Sequence, residues 1–252
     1  MSTYYILKTG ILSFSTFLLL SINVQVMAES IVSDPEAIAE GGRLYDKWWE
    51  EYELRKPSTT HTAYPLSGKK QGATTWRCKE CHGWDYAGKD GAYAKGSHFT
   101  GIKGITASYG RPLQDIVEIL KDRRHGYDAV MLDYGLLRLA AFVSAGQINM
   151  SEYIDSSSKH AMGNAARGRP IFRESCKECH GKDGRKRNFK DDDKPEYIGT
   201  VAKRNPWEAL HKMRNGHPDA FVMGDPMPHM HDKLSRQEQA DLLSYMQTLP
   251  VK

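Results

Sequence analysis

The sequence predicts an all-α protein made of two similar helical domains in tandem. The pentapeptide Cys-Lys-Glu-Cys-His occurs twice, at 78–82 and 176–180, and takes up all four cysteines of the 252 residues. A similar order of helical segments, polar loops and a late methionine surrounds each copy.

The elements follow in chain order. Lys8 supplies a positive start, Ile11 to Ile22 a mostly apolar stretch, and Val26-Met27-Ala28 a small-residue cleavage pattern. Residues 1–28 therefore read as an export signal cut near Ala28, which implies a periplasmic protein. Ser13, Ser15, Thr16, Ser21 and Asn23 interrupt the apolar run, which falls short of the roughly 20 residues a span needs. No stable membrane insertion is expected after cleavage. The first domain, 29–150, opens on Asp34-Pro35, an N-cap and first-turn pair. Gly41 and Tyr45 follow, then an insertion at about 51–75 with no legible role. After His82 come a Gly-rich loop (Gly83 to Gly104), a helix from about Pro112 to Arg124, Met131, and a helix from Tyr134 to Ala145 capped by Asp133.

Residues 151–164, polar and Ser-rich, read as a linker. The second domain, 165–252, repeats the order more compactly. Gly168 and Phe172 match Gly41 and Tyr45 on a helix running into Cys176. A polar loop (Lys182 to Lys194) leads to a helix near Pro206, with Trp207 and Leu210 on one face. The stretch Ala209 to Arg214 occupies the place of Ile119 to Arg124, each just ahead of a glycine. A loop rich in Gly, Pro and Met (Gly216 to Met230) precedes the last helix. Ser235-x-x-Glu238 opens that helix as a capping box, and Pro250 marks its end.

The pentapeptides carry the chemistry. C-x-x-C-H is the attachment signature of c-type haem. Thiols one helical turn apart can bond the two vinyl groups of one porphyrin edge, and the adjacent His then lies under the iron. The expected cofactors are thus two covalently bound haem c groups, on Cys78, Cys81 and His82 and on Cys176, Cys179 and His180. A shared zinc site is disfavoured because the two pairs lie about 100 residues apart, far beyond zinc-ribbon spacing. Two local disulfides would leave the two histidines unexplained.

Each iron needs a second axial ligand, and its identity tunes the potential. For the second haem, Met227 is the candidate, held between Pro226 and Pro228; Met223, His217, His229 and His231 are its rivals. For the first, Met131 lies about as far behind His82 as Met227 lies behind His180, and His125 and His98 are the alternatives. The formal net charge of +4 is spread along the chain, which argues against nucleic-acid binding.

Helix, C-x-x-C-H, loop, helix, Met loop and closing helix is the order of a class I cytochrome c domain. The chain resembles the periplasmic diheme cytochromes built from two fused class I domains, most closely at Asn205 to Lys212 and Pro226-Met227-Pro228. The first half departs from that pattern in its insertion and in lacking a Met-Pro pair after Met131. The resemblance implies helix-packing roles for Gly41, Tyr45, Gly168 and Phe172. It also implies a one-electron carrier between periplasmic redox proteins or a membrane-bound oxidoreductase. The alternatives are a haem enzyme, such as a diheme peroxidase or a thiosulfate-oxidising type, and an electron-transfer subunit of a larger oxidoreductase. The thiosulfate-oxidising type uses a distal cysteine, and no cysteine remains here outside the motifs.

Overall fold

The computed structural model describes residues 30–190, 193–218 and 227–252. The export signal with its cleavage point near Ala28, Met223, and the Asp225-Pro226 pair lie outside the described residues. Among those described, regular structure is helical, with two isolated β-bridges at Gly88–Lys103 and Ile154–Ala161. None of these helices is long and apolar enough to cross a membrane.

Helix α1 (Pro35–Glu51) starts where its caps require: an Asp34 carboxylate oxygen accepts from the Glu36 N–H at 3.0 Å, and Pro35 occupies the first turn. The first motif forms α2 (Cys78–His82), followed by α3 (Leu113–Lys121) and α4 (Asp133–Ala141), which runs into a π-helical turn at Phe142–Gly146. The second half contains α5 (Ala165–Ser175), α6 (Lys177–His180), α7 (Ile198–Arg204), α8 (Pro206–Asn215) and α9 (Arg236–Met246). Ser235 and Glu238 form the capping box of α9.

Three boundaries differ from the sequence reading. Helix α3 stops at Lys121 because the Asp122 carboxylate takes the N–H groups of Arg124 (2.9 Å) and His125 (2.8 Å) into a turn. Asp133 is inside the first turn of α4 and pairs with Lys121 rather than capping the helix. Helix α7 has no counterpart in the sequence reading; its N-cap position carries Tyr197, outside the usual capping set.

Two close helix crossings organise the halves. Helix α1 packs on α4, and α5 packs on α9. A Cβ added at Gly41 would fall under 3.0 Å from the Arg138 carbonyl oxygen, and one at Gly168 equally close to that of Asp241. Tyr45 and Phe172, one turn further on, are fully buried. Only glycine lets the backbones approach this far.

Helix α1 also packs on α8, joining the halves. Gly42 faces Asn215, where a Cβ would collide with the side chain. His211, fully buried on α8, sits between Gly42 O at 2.9 Å from Nε2 and Tyr86 OH at 2.9 Å from Nδ1. A carbonyl can only accept, so Nε2 carries the hydrogen and Nδ1 accepts from the tyrosine. Burial pulls His211 down to about 4, so the ring is neutral at neutral pH. Beside it, buried Asp46 on α1 pairs with Arg77 and lies 3.7 Å from Lys212 Nζ.

Candidate haem-attachment sites

Both pentapeptides fold into a single helical turn that brings their two thiols to one side. Each turn ends the same way. Gly83 (φ 79°) and Gly181 (φ 82°) take positive φ directly after the histidine, a conformation open to glycine at little cost. Their N–H groups bond back to Lys79 O (3.0 Å) and Lys177 O (2.8 Å). The next loop then returns to the histidine carbonyl, through Gly88 N–H at 2.9 Å in one half and Lys186 N–H at 2.9 Å in the other.

No disulfide joins the four cysteines. Burial pushes the thiols of Cys78, Cys81 and Cys176 up to about 12, so they are protonated at neutral pH. A thioether forms when S–H adds across a vinyl C=C, without net oxidation, and these thiols are the required form. Burial also pulls both motif histidines down to about 4, with His125 adding to the effect at His82 and Arg187 at His180. Neutral imidazole is the state that binds a metal.

The second motif opens on a cavity of about 550 Å³, within the range of small-molecule and cofactor sites. Cys176, Cys179, His180 and Met227 all line it, and so do Met230 and His217. His180 Nδ1 is buried without a hydrogen-bond partner among the described residues. Phe189 stands edge-on to the His180 ring at 6.1 Å. Lys47, Arg77, Arg187, Lys190 and Lys212 add basic groups to the wall, a suitable surround for propionate carboxylates. Thiols, a neutral imidazole, thioethers and cationic groups around one hollow fit a covalently attached haem. Met230, five residues before Ser235, was not singled out by the sequence.

At the first motif, His82 Nδ1 lies 2.8 Å from Lys103 O, the carbonyl partner that fixes a ligating ring. Cys78 Sγ lies 3.9 Å from the Tyr127 hydroxyl. The three other residues weighed for this site are scattered. Met131 is buried with its thioether against α4, where a Cβ added at Gly135 would stand 3.0 Å from Met131 Sδ and closer still to Tyr52. His98 Nδ1 is bound at 2.7 Å to Glu80, and its ring stacks on Tyr93. His125 faces His82, with ring centroids 6.4 Å apart and planes 19° from parallel.

A second, more open hollow of about 1030 Å³ lies between the 85–95 loop, residues 147–156 and Trp207, and none of the motif residues line it. His211, Asp46 and His61 escaped the sequence reading, because their importance lies in contacts between segments far apart in the chain.

Residues 165–250 match the cytochrome c family model. No curated protein and no solved structure matches the chain significantly. The matched stretch begins at the first residue of α5 and ends just past α9, so it contains the α5–α9 crossing, the second pentapeptide and the cavity wall apart from Lys47 and Arg77. Residues 165–250 thus match a cytochrome c domain, a match that supports covalent haem c attachment within that stretch.

Proposed function

We propose that the chain is a periplasmic diheme cytochrome c that carries single electrons between redox partners, with a second class I domain at 29–150. Cys78 and Cys81 would hold one haem and Cys176 and Cys179 the other, with His82 and His180 as axial ligands and Met227 as the distal ligand at the second. The observation that carries the reading is the repetition of one local structure. Each half has a glycine-tight crossing of its first and last helices, and each motif ends in a positive-φ glycine after a neutral histidine.

Haem c supplies a one-electron iron couple. A donor is oxidised by one electron, an acceptor is reduced by one, and no atom is transferred. The chain's own residues have a restricted task. The motif histidines would hold the iron, the buried aromatic residues would exclude water, and the cationic wall would offset propionate charge. Rigid burial of Trp48, Trp84, Tyr45, Tyr86 and Phe142 limits rearrangement when charge changes.

The test uses the full chain made with a haem-attachment system. Stopped-flow reduction by a small donor and reoxidation by a small acceptor should be reversible, with one electron per haem. Peroxide and thiosulfate should not be consumed over repeated turnovers. Sustained turnover of either would replace the carrier with an enzyme.

A further inference from the structure

We infer that the haem at Cys78 and Cys81 is held between two histidines, His82 and His125, and that the 51–75 insertion positions His125. This rests on the two-haem reading above. A metal–imidazole bond of about 2.0–2.1 Å, with each nitrogen about 1.2 Å from its ring centroid, puts two axial imidazoles roughly 6.3–6.5 Å apart. The His82 and His125 centroids are 6.4 Å apart, with rings 19° from parallel. That separation is too wide for rings stacked in contact, whose atoms approach to about 3.5–4.0 Å.

The hydrogen bonds fix both rings in the ligating form. His82 Nδ1 is 2.8 Å from the Lys103 carbonyl, and His125 Nδ1 is 3.0 Å from an Asp122 carboxylate oxygen. A carbonyl and a carboxylate only accept, so in the neutral ring each Nδ1 carries the hydrogen and each Nε2 keeps its lone pair for a metal. The same Asp122 carboxylate binds the His125 N–H at 2.8 Å and holds the turn.

The insertion braces this turn from outside. His61 Nε2 lies 3.0 Å from the His125 carbonyl, and its Nδ1 accepts from the Ala63 N–H at 3.1 Å. Its backbone N–H is bonded to Thr75 Oγ1 at 2.9 Å, and its ring packs edge-on against Trp76 at 4.4 Å. His61 is therefore a positioning residue. In the second half Asn215, just ahead of Gly216, stands where His125 stands ahead of Gly126, and Met227 and Met230 line the cavity instead. Histidine–methionine ligation raises a haem potential and bis-histidine ligation lowers it. The first site would hold the lower-potential haem, and electrons would run downhill from the first half to the second.

The test is optical, near-infrared and redox spectroscopy on the holoprotein, with haem counted by intact mass. The wild type should carry two low-spin haems, with a methionine-to-iron charge-transfer band for only one of them. His125→Met should add such a band and raise the lower of the two potentials. His125→Ala should turn one haem high-spin and open it to carbon monoxide. Met131→Leu should leave the spectrum unchanged. His61→Ala should shift the lower potential alone, and His61→Gln, which can still donate to the His125 carbonyl, should restore it. Two haems whose methionine band is halved by Met131→Leu would overturn the His125 assignment and leave the two-haem reading standing. A chain carrying haem only at Cys176 and Cys179 would overturn both. If His125→Ala fails to fold, the His125→Met spectrum and potential decide.

Discussion

Replacing Gly168 by alanine tests the packing of the cytochrome c domain, because two physical effects predict opposite signs. In a helix interior alanine is favoured over glycine by about 0.8–1 kcal/mol, so propensity alone predicts stabilisation. In this fold the new Cβ would lie under 3.0 Å from the Asp241 carbonyl oxygen and from the Leu242 backbone nitrogen. Backbone cannot swing aside as a side chain does, so α5 and α9 must separate. That separation also pulls on Asp241, which binds Arg167 Nε at 2.6 Å and the Asn164 N–H at 2.6 Å. Overpacking costs typically 1–3 kcal/mol and occasionally more, and here it should exceed the propensity gain. A net loss of about 1–2 kcal/mol corresponds to a fall in Tm of roughly 2–8 °C for a chain of this size. Thermal unfolding of the holoprotein followed by circular dichroism measures it. Ala166→Gly, at an exposed place on the same helix, should cost only the propensity difference. A Tm raised by Gly168→Ala would refute the close-crossing argument.

The joint between the halves makes three further predictions. His211 falls from an ordinary 6.5 to about 4, so between those values the unfolded chain binds more protons than the folded one. Its contribution is complete above about pH 6.5 and fades as pH drops toward 4, by about 3 kcal/mol in all. His211→Gln should flatten that part of a denaturation-versus-pH curve. Tyr86→Phe removes the donor to His211 Nδ1 and leaves a buried acceptor unpaired, at about 1–3 kcal/mol in chemical denaturation. Asp46→Asn strands the buried Arg77 charge and weakens the hold on Lys212. Burial opposes the Asp46 charge, but Arg77, Lys212 and His217 hold its pKa far below the usual carboxylate range. The variant should lose about 3–5 kcal/mol at neutral pH, and progressively less as pH falls below the ordinary aspartate value of about 3.9, where the unfolded chain takes up a proton that folded Asp46 does not.

What the sequence disclosed was local. Helices α1, α8 and α9 were legible because Asp34-Pro35, Pro206 and the Ser235–Glu238 capping box act within one turn. Gly41 and Gly168 stood out through their matching spacing to Tyr45 and Phe172. The pentapeptides needed no tertiary information. The surroundings of the first motif depended on segments distant in the chain. Met131 and Met227 share a spacing, yet Met131 lies against Tyr52 and Gly135, while the Asp122 turn swings His125 toward His82. The insertion carries no signal of its own, because His61 gains meaning only from contact with Thr75, Trp76 and the His125 carbonyl. His211 looked like one more polar residue on α8, although it is buried among Tyr45, Trp84, Tyr86 and Phe142.

The number of haems bound per chain bears most directly on the two-haem reading. Intact mass and pyridine haemochrome absorbance should be recorded for the wild type and for chains with Cys78→Ala/Cys81→Ala or Cys176→Ala/Cys179→Ala. Two haems in the wild type and one in each double variant is the predicted result. A single haem in the wild type, unaffected by Cys78→Ala/Cys81→Ala, would contradict the reading of residues 29–150 as a second haem domain.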